Sequence, residues 1–159
     1  MRQRQPVRQR HRDRDFEVFV TGAAGRLLHA ATLLTTEHPG RAPAAQRLLC
    51  HALAAAYARW DRPPGEDPYD RARQELAARF ARSAWRFRRG RGGVLSPLTP
   101  RERLVVVWRL YEGVAEEQVA ALLGLPVDRV RAICTRSVAA LRGGRRRPAP
   151  AAPAGPVTP

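Results

Sequence analysis

Between Val127 and Arg142 small, basic and apolar residues recur at a spacing suited to reading base edges. At about 3.6 residues per turn, Val127, Val130, Cys134, Val138 and Leu141 fall on one stripe of a helix. The opposite face presents Asp128, Arg129, Ala132 and Arg136, with Arg131 and Thr135 on its flanks. Arg bonds guanine bidentately in the major groove, each such pair giving about 1–3 kcal/mol of discrimination, and small side chains let the helix approach the bases. Asp128 has two readings, a partner for the helix dipole or an acceptor for cytosine. Upstream, Glu116 to Leu123 reads as a short helix whose Val119, Leu122 and Leu123 would pack on the stripe, followed by Gly124, Leu125 and Pro126. A short helix, a glycine turn and an Arg-loaded helix make a helix-turn-helix pattern, whose second helix enters the major groove. The competing reading is a helical hairpin with a solvated basic face.

Other chemistry lacks its residues. No Gly-rich phosphate loop precedes a Lys, because the chain has no Lys, and neither H-E-x-x-H nor a nucleophile elbow occurs. A binding protein is expected, not an enzyme, with no cofactor, no metal and no small-molecule substrate. Cys50 and His51 are adjacent, and neighbours on a helix point about 100° apart, so they do not share an ion. Cys50 and Cys134 are too few for a disulfide framework and are expected as reduced, buried thiols. No apolar run approaches the roughly 18 residues of a membrane span, and Met1 to Asp15 lacks the apolar stretch of a secretory signal. The expectation is a cytoplasmic protein with no membrane partner.

The 159 residues carry 29 basic and 14 acidic side chains, a formal charge of +15, and every base is Arg. That charge is clustered. Residues 1–15 hold six Arg and two Asp, residues 71–91 eight Arg and one Glu, and residues 126–147 seven Arg and one Asp, while the stretches between are nearly neutral. Clustered Arg is the footprint of a polyanion binder, since each Arg near a phosphate releases counterions. A membrane surface would need an aromatic or leucine-rich face beside the charge, and the last island has no aromatic residue. Nucleic acid is the expected partner.

Helical spacing dominates and strand alternation is nearly absent, so the fold class expected is all-α, two small helical domains joined by a flexible linker. A first helix is predicted from about Phe16 to Leu34, with Phe16, Phe19, Val20, Leu27, Leu28, Ala31 and Leu34 on its apolar side. A second runs from Pro43 to Trp60, and Trp60 fits its apolar stripe. Asp61 to Pro68 is a turn, and a third helix runs from Tyr69 to Arg89 with Ala72, Leu76, Phe80, Ser83, Ala84 and Phe87 inward. Gly90 to Leu98 is read as the linker from its three glycines and a proline. Thr99, Pro100 and Glu102 then form a capping box that starts the second domain. The expected layout is a basic disordered arm (1–15), a helical domain (16–89), the linker (90–98), a helix-turn-helix domain (99–142), and a disordered Arg then Ala/Pro tail (143–159).

At these residues the sequence resembles a known family. Leu98 to Arg142, LTPRERLVVVWRLYEGVAEEQVAALLGLPVDRVRAICTRSVAALR, is similar to region 4 of the extracytoplasmic-function sigma factors of the sigma-70 family, nearest to the actinobacterial SigE-like subgroup. Phe16 to Thr36 and Ala77 to Trp85 resemble a degenerate region 2, which would be a three-helix bundle. The resemblance implies a factor that binds RNA polymerase core, through the β′ clamp helices and the β flap, and directs promoter-specific initiation. Asp128, Arg129, Arg131, Ala132, Thr135 and Arg136 would then read the −35 element. Arg79, Arg82, Ser83, Trp85 and Arg86 would hold the −10 strand, with Trp85 either stacked on an unpaired base or part of the core. An anti-sigma factor is a further partner that the resemblance raises. Core binding would fall to Gln46, Arg47, Leu48, Leu49 and His51, where the family has an acidic signature, roughly D-A-E-D-L-V-Q-E. Here every acid is gone, and Arg47 sets like charge against an arginine-bearing partner. Two other readings therefore stand beside the initiation factor. One is a helix-turn-helix regulator of sigma ancestry that does not engage core. The other is an interaction protein whose first domain docks another factor. Ala115 also stands where the family commonly has a capping Ser.

Overall fold

The computed structural model describes residues 4–60 and 67–144, and among them every named element is helical. The first three residues, most of the expected turn (61–66) and the expected disordered tail from 145 onward lie outside the described residues. Helix α1 spans Arg4–Thr35, α2 Pro43–Ala58 and α3 Pro68–Arg82. The basic start expected as a disordered arm is thus helical from Arg4. Its first turns are fastened to the end of α2: the Arg12 guanidinium lies 4.3 Å over the Tyr57 ring and donates to the Tyr57 carbonyl at 2.6 Å. Gln9 donates to the Tyr57 hydroxyl at 2.8 Å, and that hydroxyl donates to Asp13.

Over Val7–Thr35, α1 is long and apolar enough to cross a membrane by length and composition alone, although polar residues interrupt its apolar runs. Its Ala23, Leu27, Ala30, Ala31 and Leu34 are buried in the core instead. They meet Leu48, Leu49, Ala52 and Ala56 of α2 and Ala72, Leu76 and Phe80 of α3 in one hydrophobic cluster. Phe16, Phe19 and Trp60 close its outer end, with the Trp60 ring centroid 5.0 Å from Phe16 and 5.2 Å from Phe19. Cys50 falls outside the apolar stripe of α2 and is exposed, contrary to expectation, while Cys134 is half-buried. Burial pushes the Cys134 thiol up, with Arg109 opposing.

Helix α3 stops seven residues earlier than the periodicity suggested. The Ser83 hydroxyl donates to the Arg79 carbonyl at 2.9 Å, and a 3-10 turn, Ala84–Phe87, follows. The tighter winding swings Phe87 onto Phe80, ring centroids 5.3 Å apart.

Residues 90–98, expected as a flexible linker, are docked. The Gly93 amide donates to the Thr36 carbonyl at 2.8 Å, the Arg91 amide donates to the Thr36 hydroxyl at 2.8 Å, and Leu95 and Leu98 are buried. Glycine serves close approach here: a Cβ on Gly93 would lie 2.8 Å from the Thr36 carbonyl oxygen, and one on Gly90 2.5 Å from Cβ of Ser96.

Helix α4 (Pro100–Val106) begins with the expected capping box, Glu102 accepting from the Thr99 amide at 2.8 Å and Thr99 from the Glu102 amide at 3.4 Å. It runs on as one π-helical stretch, Val107–Tyr111. Arg103 to Trp108 are all buried. A helix apolar all round has neighbours all round, and α4 packs on α6 (Val127–Gly144) while also touching α1 and α3. Two clusters of helices, α1–α2–α3 and α4–α5–α6 with α5 at Glu116–Leu123, therefore share a continuous core.

Two polar groups seal that junction. Arg103 donates to the carbonyls of Phe87 (2.7 Å), Leu95 (3.2 Å) and Leu34 (3.4 Å), and burial pushes its pKa down. The Glu112 carboxylate, fully buried, accepts from the Tyr69 hydroxyl at 3.0 and 3.1 Å and lies 3.5 Å from Arg26 and 3.6 Å from Arg73. Burial and then the Glu112 charge push the Tyr69 hydroxyl well above the usual phenol range.

Candidate nucleic-acid interface

Helix α6 is held by its short neighbour. Helix α5 ends at Gly124, left-handed at φ 62°, and the Leu125 amide returns to the Ala120 carbonyl at 3.0 Å. That close is a Schellman-type turn needing a residue free of the Cβ penalty. Pro126 then leads into α6, whose Val130 and Ile133 are buried against the core. The buried edge of α6 also includes Ser137, so it lies slightly to one side of the predicted stripe, whose Val127, Cys134, Val138 and Leu141 are only half-buried. Ser137 was missed because a hydroxyl carries no apolar signal; its Oγ is buried with no hydrogen-bond partner among the described residues.

Asp128, Arg129, Arg131, Ala132, Thr135 and Arg136 are all exposed. They divide into two groups. Arg129, Ala132, Thr135 and Arg136 make no side-chain hydrogen bond or ion pair among the described residues, leaving their face open. Arg131 is held: it donates to Glu116 of α5 at 2.8 and 3.1 Å and to Asp128 at 3.0 Å. The Glu116 bond and charge push its pKa up. Asp128 thus spends its carboxylate on a neighbour in the first turn, and Arg131 braces α6 against α5.

A second basic site lies between α2 and α3. A cleft of about 400 Å³ is lined by Arg79, Arg82, Ser83, Trp85 and Arg86, and also by Arg47 and His51 of α2. Trp85 is 63% exposed, which excludes the core reading for it, and the Arg86 guanidinium lies 5.1 Å over its ring. Ser83 is tied to the end of α3 through its hydroxyl.

The residues expected to meet polymerase core do not form one surface. Leu48 and Leu49 are buried in the α1–α2–α3 core, while Gln46, Arg47 and His51 are exposed on the other side of α2. For the two leucines the expectation is corrected, since helical geometry turns them inward with Ala45 and Ala52. Among the described residues no group of three or more His, Cys, Asp or Glu is placed to hold a metal ion.

A family model described as sigma-70, region 4 matches residues 94–143. The match takes in α4, the π-helical stretch, α5 and nearly all of α6, the elements that build and present the exposed face of α6. A sigma-70-type region 4 helix-turn-helix domain is therefore present, a domain type capable of binding DNA. No curated protein and no solved structure matches the chain.

Proposed function

We propose, from a region 4 domain whose second helix offers an open basic face, that this protein is a transcription initiation factor reading promoter DNA at two places. Helix α6 enters the major groove of the −35 element, with Arg129 and Arg136 as base readers and Ala132 and Thr135 allowing close approach. The cleft beside Trp85 takes the −10 strand, and the protein delivers RNA polymerase core to that promoter. The observation that carries the reading is the exposure of Arg129, Ala132, Thr135 and Arg136 on the helix that follows the glycine turn. Replacing Arg129 or Arg136 with Ala should relax preference at one base pair by about 1–3 kcal/mol in competition binding. Removing Arg145 to Arg147 should weaken all duplexes alike. A footprint indifferent to both single substitutions would remove the assignment.

A second reading is favoured by one observation. The exposed face of α2 carries Gln46, Arg47, Cys50 and His51 and no carboxylate. A regulator that binds promoters without engaging core fits that face. Co-purification with polymerase core, followed by run-off transcription, separates the two.

A further inference from the structure

We infer that the exposed face of α2 is one wall of a single-stranded DNA groove and not a protein-docking surface, with Arg47 and His51 as phosphate-binding residues. The inference rests on the proposal that the protein acts on promoter DNA, and adds the α2 residues to its second site. Arg47 and His51 project from α2 into the same cleft that Arg79 and Arg82 line from α3. Among the described lining residues none is acidic. Elsewhere Arg59, Arg73 and Arg131 each sit within 4.0 Å of a carboxylate. Of the arginines lining the cleft, Arg91 pairs with Glu37 at 3.2 Å, while Arg47, Arg79, Arg82 and Arg86 have no ion pair among the described residues.

Arg79 fits this reading: among the described residues its Nε–H is buried without an acceptor, as are those of Arg12 and Arg73 outside the cleft. Buried donors are nearly always paired, and leaving one unmet is costly. Phosphate oxygens are the acceptors such a cluster of guanidinium groups suits.

The form of the nucleic acid follows from Trp85, which stands open at the cleft with the Arg86 guanidinium over its ring. Stacking on an exposed indole needs a base with a free face, which an unpaired strand has and a stacked duplex does not. A protein partner would find little to hold on α2, because Leu48 and Leu49 are buried, Leu48 only lining the cleft, and none of the fully exposed residues of α2 is aromatic or a large aliphatic.

Fluorescence titration of the full chain with a single-stranded oligonucleotide, a duplex of the same length and inorganic triphosphate tests this. The strand should bind, and Trp85→Phe should change the indole emission response. Arg47→Ala should lower the slope of log affinity against log salt by about 0.7, the loss of one phosphate contact on a single strand. Arg47→Glu should weaken strand binding about tenfold or more, and His51→Ala should weaken it less, with binding of α6 to a selected duplex unchanged in all three. Unchanged strand affinity and salt slope in Arg47→Ala would overturn the inference. So would triphosphate competing as well as the strand, which would mark a free polyphosphate site, or loss of polymerase binding in Arg47→Ala with strand affinity intact. The wild-type chain selecting no duplex sequence while the strand effects hold would count against the proposed function alone.

Discussion

Glu37 caps a helix that it does not adjoin. The residue before α2 is Ala42, which has no side chain to accept from the first turn. Glu37 accepts instead from the amides of Ala44 at 3.1 Å and Ala45 at 2.9 Å, from the Thr35 hydroxyl at 3.0 Å, and pairs with Arg91 at 3.2 Å. Burial alone would raise this carboxyl, but the Ala45 and Ala44 amides, then Thr35 and Arg91, outweigh it and hold it below the usual range. A carboxyl whose folded pKa lies below its unfolded value of about 4.3 contributes stability that is present above that value. The contribution is lost as pH falls through the depressed folded pKa. Glu37→Gln should therefore be less stable than wild type at pH 7 by about 0.5–2 kcal/mol, the range for a lost helix cap. It should also lose less stability than wild type as the pH drops below about 4, read by urea unfolding at each pH. Identical pH dependence in the two proteins would show that the cap is not ionised. Nothing in the local sequence points to this contact, because His38 to Ala42 intervene; the same holds for Arg131, whose clamp on Glu116 joins residues fifteen apart.

Among the elements, those with chemical start and stop signals were legible and those ended by packing were not. The Thr99–Glu102 capping box, the bounds of α5 and the glycine turn before α6 follow from local propensities that tertiary contacts left alone. Helix α3 ran short because burying Phe87 on Phe80 favoured a tighter turn, and periodicity continues through such a turn. The π-helical stretch after α4 is a second case, closed by the Glu112 amide on the Val107 carbonyl at 2.9 Å. Helix α5 also offers a direct test. Ala115 holds N-cap geometry, φ −61° and ψ 150°, without a side-chain bond to the helix. Ala115→Ser should add about 1 kcal/mol of stability, seen as a higher thermal midpoint with DNA affinity unchanged. No gain would mean that the first-turn carboxylates of Glu116 and Glu117 already satisfy this end.

For the molecule as a whole, the junction between the helix clusters decides how the two basic sites are presented. Glu112, Tyr69, Arg26 and Arg73 form a charge cluster across it, and truncating one member of a buried pair costs about 3–5 kcal/mol. Glu112→Ala should lose stability of about that size in denaturant unfolding, with hydrogen exchange speeding in α4 before α2. A loss under about 1 kcal/mol would show that the clusters are held by their apolar contacts alone.

The all-α class, the helix-turn-helix and the open face of α6 were settled by sequence, because periodicity, caps and turn glycines act over a few residues. The docking of residues 90–98, the burial of Arg103 and the joining of Arg47 with Arg79 in one cleft were settled only by the tertiary structure. A glycine that permits bending and a glycine that permits close approach are the same letter, and only a neighbour such as the Thr36 carbonyl distinguishes them. The run Leu104 to Trp108 did hold the signal, since five consecutive apolar residues leave a helix no side to give to water.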